Sequence, residues 1–116
     1  MASKQGDSIY HNITGSTGVN VELIAPGENF GNIHSIMLTN VHVSADATVT
    51  LFLQDSPEDT AFKTFNIIKK IAIPATVSLL LDEPKLLTFD NKSEDGYGLY
   101  ITVGNTDTVD TIITLQ

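Results

Sequence analysis

Between Ile33 and Leu53 the chain reads IHSIMLTNVHVSADATVTLFL, two runs of branched and apolar residues flanking the small, polar Ser44-Ala45-Asp46. Apolar and polar residues alternate along both runs, the period of a strand that sets one face on a core. The stretch is expected to form a long antiparallel hairpin. On its first arm Ile36 and Leu38 share a face with His34 and Asn40, while Ile33, Met37 and Val41 share the other with Ser35 and Thr39. On its second arm Val49, Leu51 and Leu53 oppose Thr48, Thr50 and Phe52. Apolar residues thus stand on both faces near the middle. That pattern suits central strands covered twice, by a second sheet or by a neighbouring subunit.

The same period recurs along the rest of the chain. Ser8 to Thr14 puts Tyr10 and Asn12 on one face and Ile9, His11 and Ile13 on the other; Val19, Val21 and Leu23 alternate with Asn20 and Glu22. Turn residues separate the runs: Gly15-Ser-Thr-Gly18, Ala25-Pro-Gly-Glu28, Asp82-Glu-Pro-Lys85 and Gly104-Asn-Thr-Asp107. Phe62 to Ile73 has a competing helical reading, with Phe65, Ile68 and Ile71 at helical spacing. Its density of Phe, Ile and Thr and the closing Ile73-Pro74 favour a strand, with a bulge at Asn66 or Lys69-Lys70 where the apolar parity shifts. Further strands are expected at Thr76–Leu81, Leu86–Phe89, Tyr97–Val103 and Thr108–Leu115. The expected fold class is all-β, an antiparallel β-sandwich, jelly-roll-like, with about eight to nine short strands. Residues 1–7 are expected to form a flexible N-terminal arm and residues 8–116 a single β-sandwich domain, the size a chain of 116 residues supports.

Charge narrows the partners. Fourteen acidic residues face six basic ones, all Lys, for a formal net charge of −8. Without Arg and without a positive field, neither nucleic acid nor an anionic membrane surface is an expected partner. Acidity of this kind serves solubility and self-repulsion. Cysteine is absent, which excludes disulfides and thiolate metal sites. MASKQGD has no apolar run, so no secretory signal peptide is expected there. No run reaches the ~18–20 apolar residues of a membrane-spanning helix.

No catalytic constellation emerges. His11, His34 and His42 would make a three-histidine metal site only if distant strands brought them together. His34 and His42 stand roughly 26 Å apart on one continuous strand. Asp90 to Gly96 resembles a calcium loop in composition, yet Lys92 occupies the third position and no helix flanks it. Asp82-Glu83 and Glu58-Asp59 are neighbours along loops, which does not make an acid/base pair. There is no nucleophile elbow, phosphate loop or dinucleotide fingerprint. Asn12-Ile-Thr14 and Asn91-Lys-Ser93 match the glycosylation sequon by chance. Tyr10, Tyr97 and Tyr100 are the aromatics available to a carbohydrate surface, although packing and interface roles suit them better.

Several segments carry a family resemblance: Ala25-Pro-Gly27, Ile33-His-Ser-Ile-Met-Leu-Thr-Asn40, Ala45-Asp-Ala-Thr-Val-Thr50, Ile71-Ala-Ile-Pro74, Leu79-Leu-Leu-Asp82 and Tyr100-Ile-Thr-Val103. In these, from about residue 8 onward, the chain resembles a family of small tailed-phage virion proteins, common in marine and cyanobacterial phages. It departs from their outline at Thr60–Asn66, where two phenylalanines and Thr64 replace a shorter connection. The shared motifs are structural. The resemblance implies a β-sandwich component of the particle, such as a capsid decoration or cement protein or a neck or tail part, with no enzymatic activity and no cofactor. Its implied partners are other virion proteins of the capsid or tail lattice and further copies of itself. Its implied location is the virion, after synthesis in the host cytoplasm. The alternative is a carbohydrate- or receptor-binding module of a phage fibre. Residues expected at an assembly surface are Tyr97 and Tyr100, with Ile36 and Leu38 if the monomer exposes them.

Overall fold

Each alternating segment becomes a strand, and the core follows from which parity is apolar. The computed structural model describes residues 8–15, 20–28, 30, 32–55, 64–91 and 96–115. Its strands are β1 (Ser8–Thr14), β2 (Val21–Ile24), β3 (Ile33–Asn40), β4 (Ala47–Asp55), β5 (Thr64–Ile73), β6 (Ser78–Leu81), β7 (Tyr97–Val103) and β8 (Thr108–Leu115). The arm at 1–7 and parts of the expected loops at Gly15–Gly18, Gln54–Thr60 and Asp90–Gly96 lie outside the described residues.

The strands form two four-stranded antiparallel sheets, ordered β1-β8-β3-β6 and β2-β7-β4-β5. Together they make a β-sandwich with the strand order of a jelly roll, as the alternation implies. Among the described strands, only β4 and β5 are both consecutive and paired; each other successive pair has its members in different sheets.

The Ile33–Leu53 hairpin is therefore not what forms. β3 lies between β8 and β6 in one sheet, and β4 lies between β7 and β5 in the other. Alternation dictates which side chains face a core but not which strand lies alongside. The residues between the two strands bridge the ~10 Å between packed sheets. Asn40 fixes this crossing. Its Nδ2 donates to the carbonyls of Ala45 and Ile73, each at 2.8 Å, and its Oδ1 accepts the His42 N–H at 2.9 Å. A buried amide with its bonds so occupied joins the end of β3, the crossing and the end of β5.

The core is the meeting of the two inward faces. Ile36 and Leu38 from β3 and Val109 and Ile113 from β8 pack against Val49 and Leu51 from β4 and Leu99 and Ile101 from β7, all at 0 % exposure. Each such side chain contributes roughly 1.5–3 kcal/mol relative to exposure. His34 leaves the inward face it was expected to share, because the register of β3 on β8 shifts between Ile33 and Ser35. Ile33 takes the buried position instead.

β5 is a strand, not a helix, and its irregularities lie where the parity shifts. Its register on β4 slips once opposite Thr50, at Lys69-Lys70, and again at Ile67. Lys70 adopts a φ of 53° there, and its N–H donates to Thr50 Oγ1 at 2.9 Å. The Ala25–Glu28 turn forms with Gly27 at a φ of 88° and the Glu28 N–H on the Ala25 carbonyl at 3.3 Å. The expected strand at Leu86–Phe89 does not form. A single helical turn, α1 (Pro84–Leu87), stands there, because Pro84 presets the first helical φ and Thr88 Oγ1 donates back to the Pro84 carbonyl at 2.8 Å.

Candidate functional site

Of the four residues expected at an assembly surface, Ile36 and Leu38 fail the condition set for them. Both are wholly buried in the sandwich core, because the even parity of β3 faces the opposite sheet. Tyr100 and Tyr97 do not share a surface, since they stand three positions apart on β7 and so point to opposite faces. Tyr100 lies on the outer side of its sheet, 6 % exposed, with its ring stacked on Phe52 at 5.7 Å and 19°. Its hydroxyl donates to Glu22 Oε2 at 3.2 Å. Burial, and then the charge and hydrogen bond of Glu22, push the phenol up to about 12. Tyr97 is half-buried and meets Phe65 in a tilted contact at 5.7 Å.

The histidines stand apart. His11 faces inward from β1 opposite Thr111, His34 is exposed at the register shift, and His42 lies beyond the end of β3. Among the described residues, no group of three His, Asp or Glu side chains is placed to hold a metal ion. His42 Nε2 meets Asp107 Oδ1 at 3.2 Å, and Asp107 Oδ2 accepts the Thr48 N–H at 3.1 Å. This pair laces the β3–β4 crossing to the β7–β8 turn. Asn91 does the same at the opposite end: buried, it donates to the carbonyls of Ala25 and Tyr97 and accepts the Phe30 N–H. His11 Nε2 and Thr111 Oγ1 are buried without a partner among the described residues, on directly paired positions.

One feature escapes a reading of the linear sequence. Tyr10 pairs with Ile112, Ile112 with Met37, and Met37 with Leu80, so the four make one row across all four strands of the first sheet. They occupy the parity opposite to the core. Tyr10 is 71 % exposed and Leu80 54 %, with Ile112 and Met37 half-buried between them. The sequence shows Met37 on a second, partly apolar face of its own strand, but only the register aligns it with Tyr10, Ile112 and Leu80. A polar row runs beside it: Asn12, Asp110, Thr39 and Ser78. Within that row Asn12 Nδ2 donates to Asp110 Oδ1, and the Thr39 and Ser78 hydroxyls bond each other at 2.7 Å.

No protein-family model and no curated protein matches the chain. Solved structures do. A chain in the crystal structure of the T13 IBDV viral particle aligns over 95 % of this chain with a TM-score of 0.51 and 13 % identity. A chain in the structure of the infectious bursal disease virus Gx strain aligns over 97 % with a TM-score of 0.50 and 11 % identity. The present chain spans about a third of each, 30 % and 32 % respectively. At such identity the likeness is one of fold. The molecule is an antiparallel β-sandwich of jelly-roll order, built like a segment of those two chains.

Proposed function

We propose that the protein is a non-enzymatic structural component of a virion, holding its place in the particle through contacts with other virion proteins. The observation that carries this reading is the strand order β1-β8-β3-β6 over β2-β7-β4-β5, an architecture that viral capsid domains use and that aligns with chains of a viral particle. The finer assignment, a capsid decoration or cement protein or a neck or tail part of a tailed phage, rests on the motif resemblance running from Ala25-Pro-Gly27 to Tyr100–Val103. The buried polar side chains with partners, Asn40 and Asn91, spend their hydrogen bonds on the backbone.

The competing reading, a carbohydrate-binding module, loses support from the tyrosines. A sugar platform stacks on open aromatic faces. Tyr100 is covered, Tyr97 is half-covered, and Tyr10 lies on the other sheet. The test is co-sedimentation of the purified chain with particles that lack it. Saturable binding at a fixed ratio to a particle protein is expected. Absence of binding, together with saturable capture on a glycan array that Tyr10→Ala removes, would replace this reading with the carbohydrate one.

A further inference from the structure

We propose that the outer face of the β1-β8-β3-β6 sheet is a self-association surface, on which a second copy of this chain packs face to face across the Tyr10–Ile112–Met37–Leu80 row. The choice of occupant comes from charge. A chain of net charge −8 repels its own copies wherever its acidic surface is presented. The outward residues of these four strands include one carboxylate, Asp110, and no lysine. This face therefore offers two acidic copies a meeting surface that is almost free of charge. Loss of charge around an aromatic and methionine centre is also how the middle of a protein interface differs from ordinary surface.

The polar groups beside the row are prepared for burial. Asn12 already donates to Asp110 within the face, and the hydroxyls of Thr39 and Ser78, like those of Thr14 and Thr108 at 3.2 Å, bond each other. Covering them forfeits less than covering unpaired groups would. The outer face of the second sheet is different. Glu22 and the bulge residues Lys69 and Lys70 stand exposed along it, three charges against one, and its aromatic pair, Phe52 and Tyr100, is already buried.

Symmetry fits the row as well. Neighbouring strands lie about 4.8 Å apart, so the midpoint of the row falls between Ile112 and Met37, each about 2.4 Å from it. A two-fold axis through that point, along either the row or the strands, brings Met37 close to its counterpart on the second copy. Four strands at that spacing, and about 25 Å long, make a face of a few hundred Å². Stable pairs bury roughly 800 Å² per partner. The dimer therefore depends on concentration and strengthens when copies are held side by side. The inference does not rest on the particle reading: dimers without particle binding would leave this surface standing and remove the particle role.

The test is sedimentation equilibrium of the full chain over a wide concentration range, with folding of each variant checked by circular dichroism. Wild type should pass from monomer to dimer. Tyr10→Glu and Leu80→Glu, at exposed positions on edge strands, should each raise the dissociation constant about tenfold or more. Val43→Glu, at 89 % exposure on the β3–β4 crossing, adds the same charge away from the row and should leave association unchanged. In this cysteine-free chain, Met37→Cys should cross-link through a short bismaleimide, and Thr48→Cys on the other sheet should not. A wild type that stays monomeric up to its solubility limit would overturn the proposal. So would a Val43→Glu effect equal to that of Leu80→Glu, or equal cross-linking of the two cysteine variants.

Discussion

Among the described residues, Thr111 and His11 each bury a polar side-chain atom without a hydrogen-bond partner, and they are neighbours across the β1–β8 ladder. A buried hydroxyl without a partner costs its desolvation and returns nothing. Thr111→Val keeps the branched shape and removes that hydroxyl, so it should raise the urea midpoint by an amount equivalent to about 1 kcal/mol. Nothing in the sequence flagged Thr111, whose position in the alternation reads as an ordinary polar residue next to Ile112. Tyr100 carries the opposite lesson. Its place in the alternation is legible, but its burial is not, because the cover includes the ring of Phe52 on another strand. Its phenol is raised to about 12 in the folded state against an ordinary 10, so the fold favours the protonated form. The corresponding stability is complete below pH 10 and is lost as the pH rises towards about 12. Denaturation midpoints should fall across that window in the wild type and fall less in Tyr100→Phe.

At the scale of elements, strand positions were largely legible and strand partners were not. The bulge at Lys69-Lys70 shows in the parity of the Ile residues around it, because an extra residue must turn the apolar face over. The β3–β4 pairing misled, since two alternating runs around a polar stretch look the same whether the chain turns back or crosses to another sheet. Pro84 has the sequence context of a turn, although proline serves equally to start a helical turn. Gly98 gives a sharper test of how elements fit. A methyl group added there would lie 2.8 Å from the Ile24 carbonyl oxygen, 2.9 Å from Pro26 Cδ and 2.9 Å from Tyr100 Cε1. Two of these neighbours belong to β2 and the turn that follows it, so the backbone there must shift to make room. Gly98→Ala should therefore cost about 1–3 kcal/mol in denaturant titrations. The same change should make Tyr100 ionise more easily, as the displaced turn admits water to its ring.

The sandwich as a whole was legible because its demands are simple: short segments of period two, turn residues between them, and enough apolar residues for one core. Its outer row was not legible, because it exists only once four strands that are distant in sequence come into register. The jelly-roll order also governs how the molecule bears load. β1 is an edge strand, and Ser8 at its start pairs with Thr114 near the end of β8, so these two strand ends lie side by side. Tension applied between them acts across the ladder and breaks its hydrogen bonds in succession, like a zipper, rather than shearing them all together. Optical-tweezer traces with handles at these two ends should show β1 peeling away at low force, before the remaining strands give way in one step. A partner that must hold this molecule against strain would do so by its sheet faces, since the β1–β8 ladder is the first part to come loose.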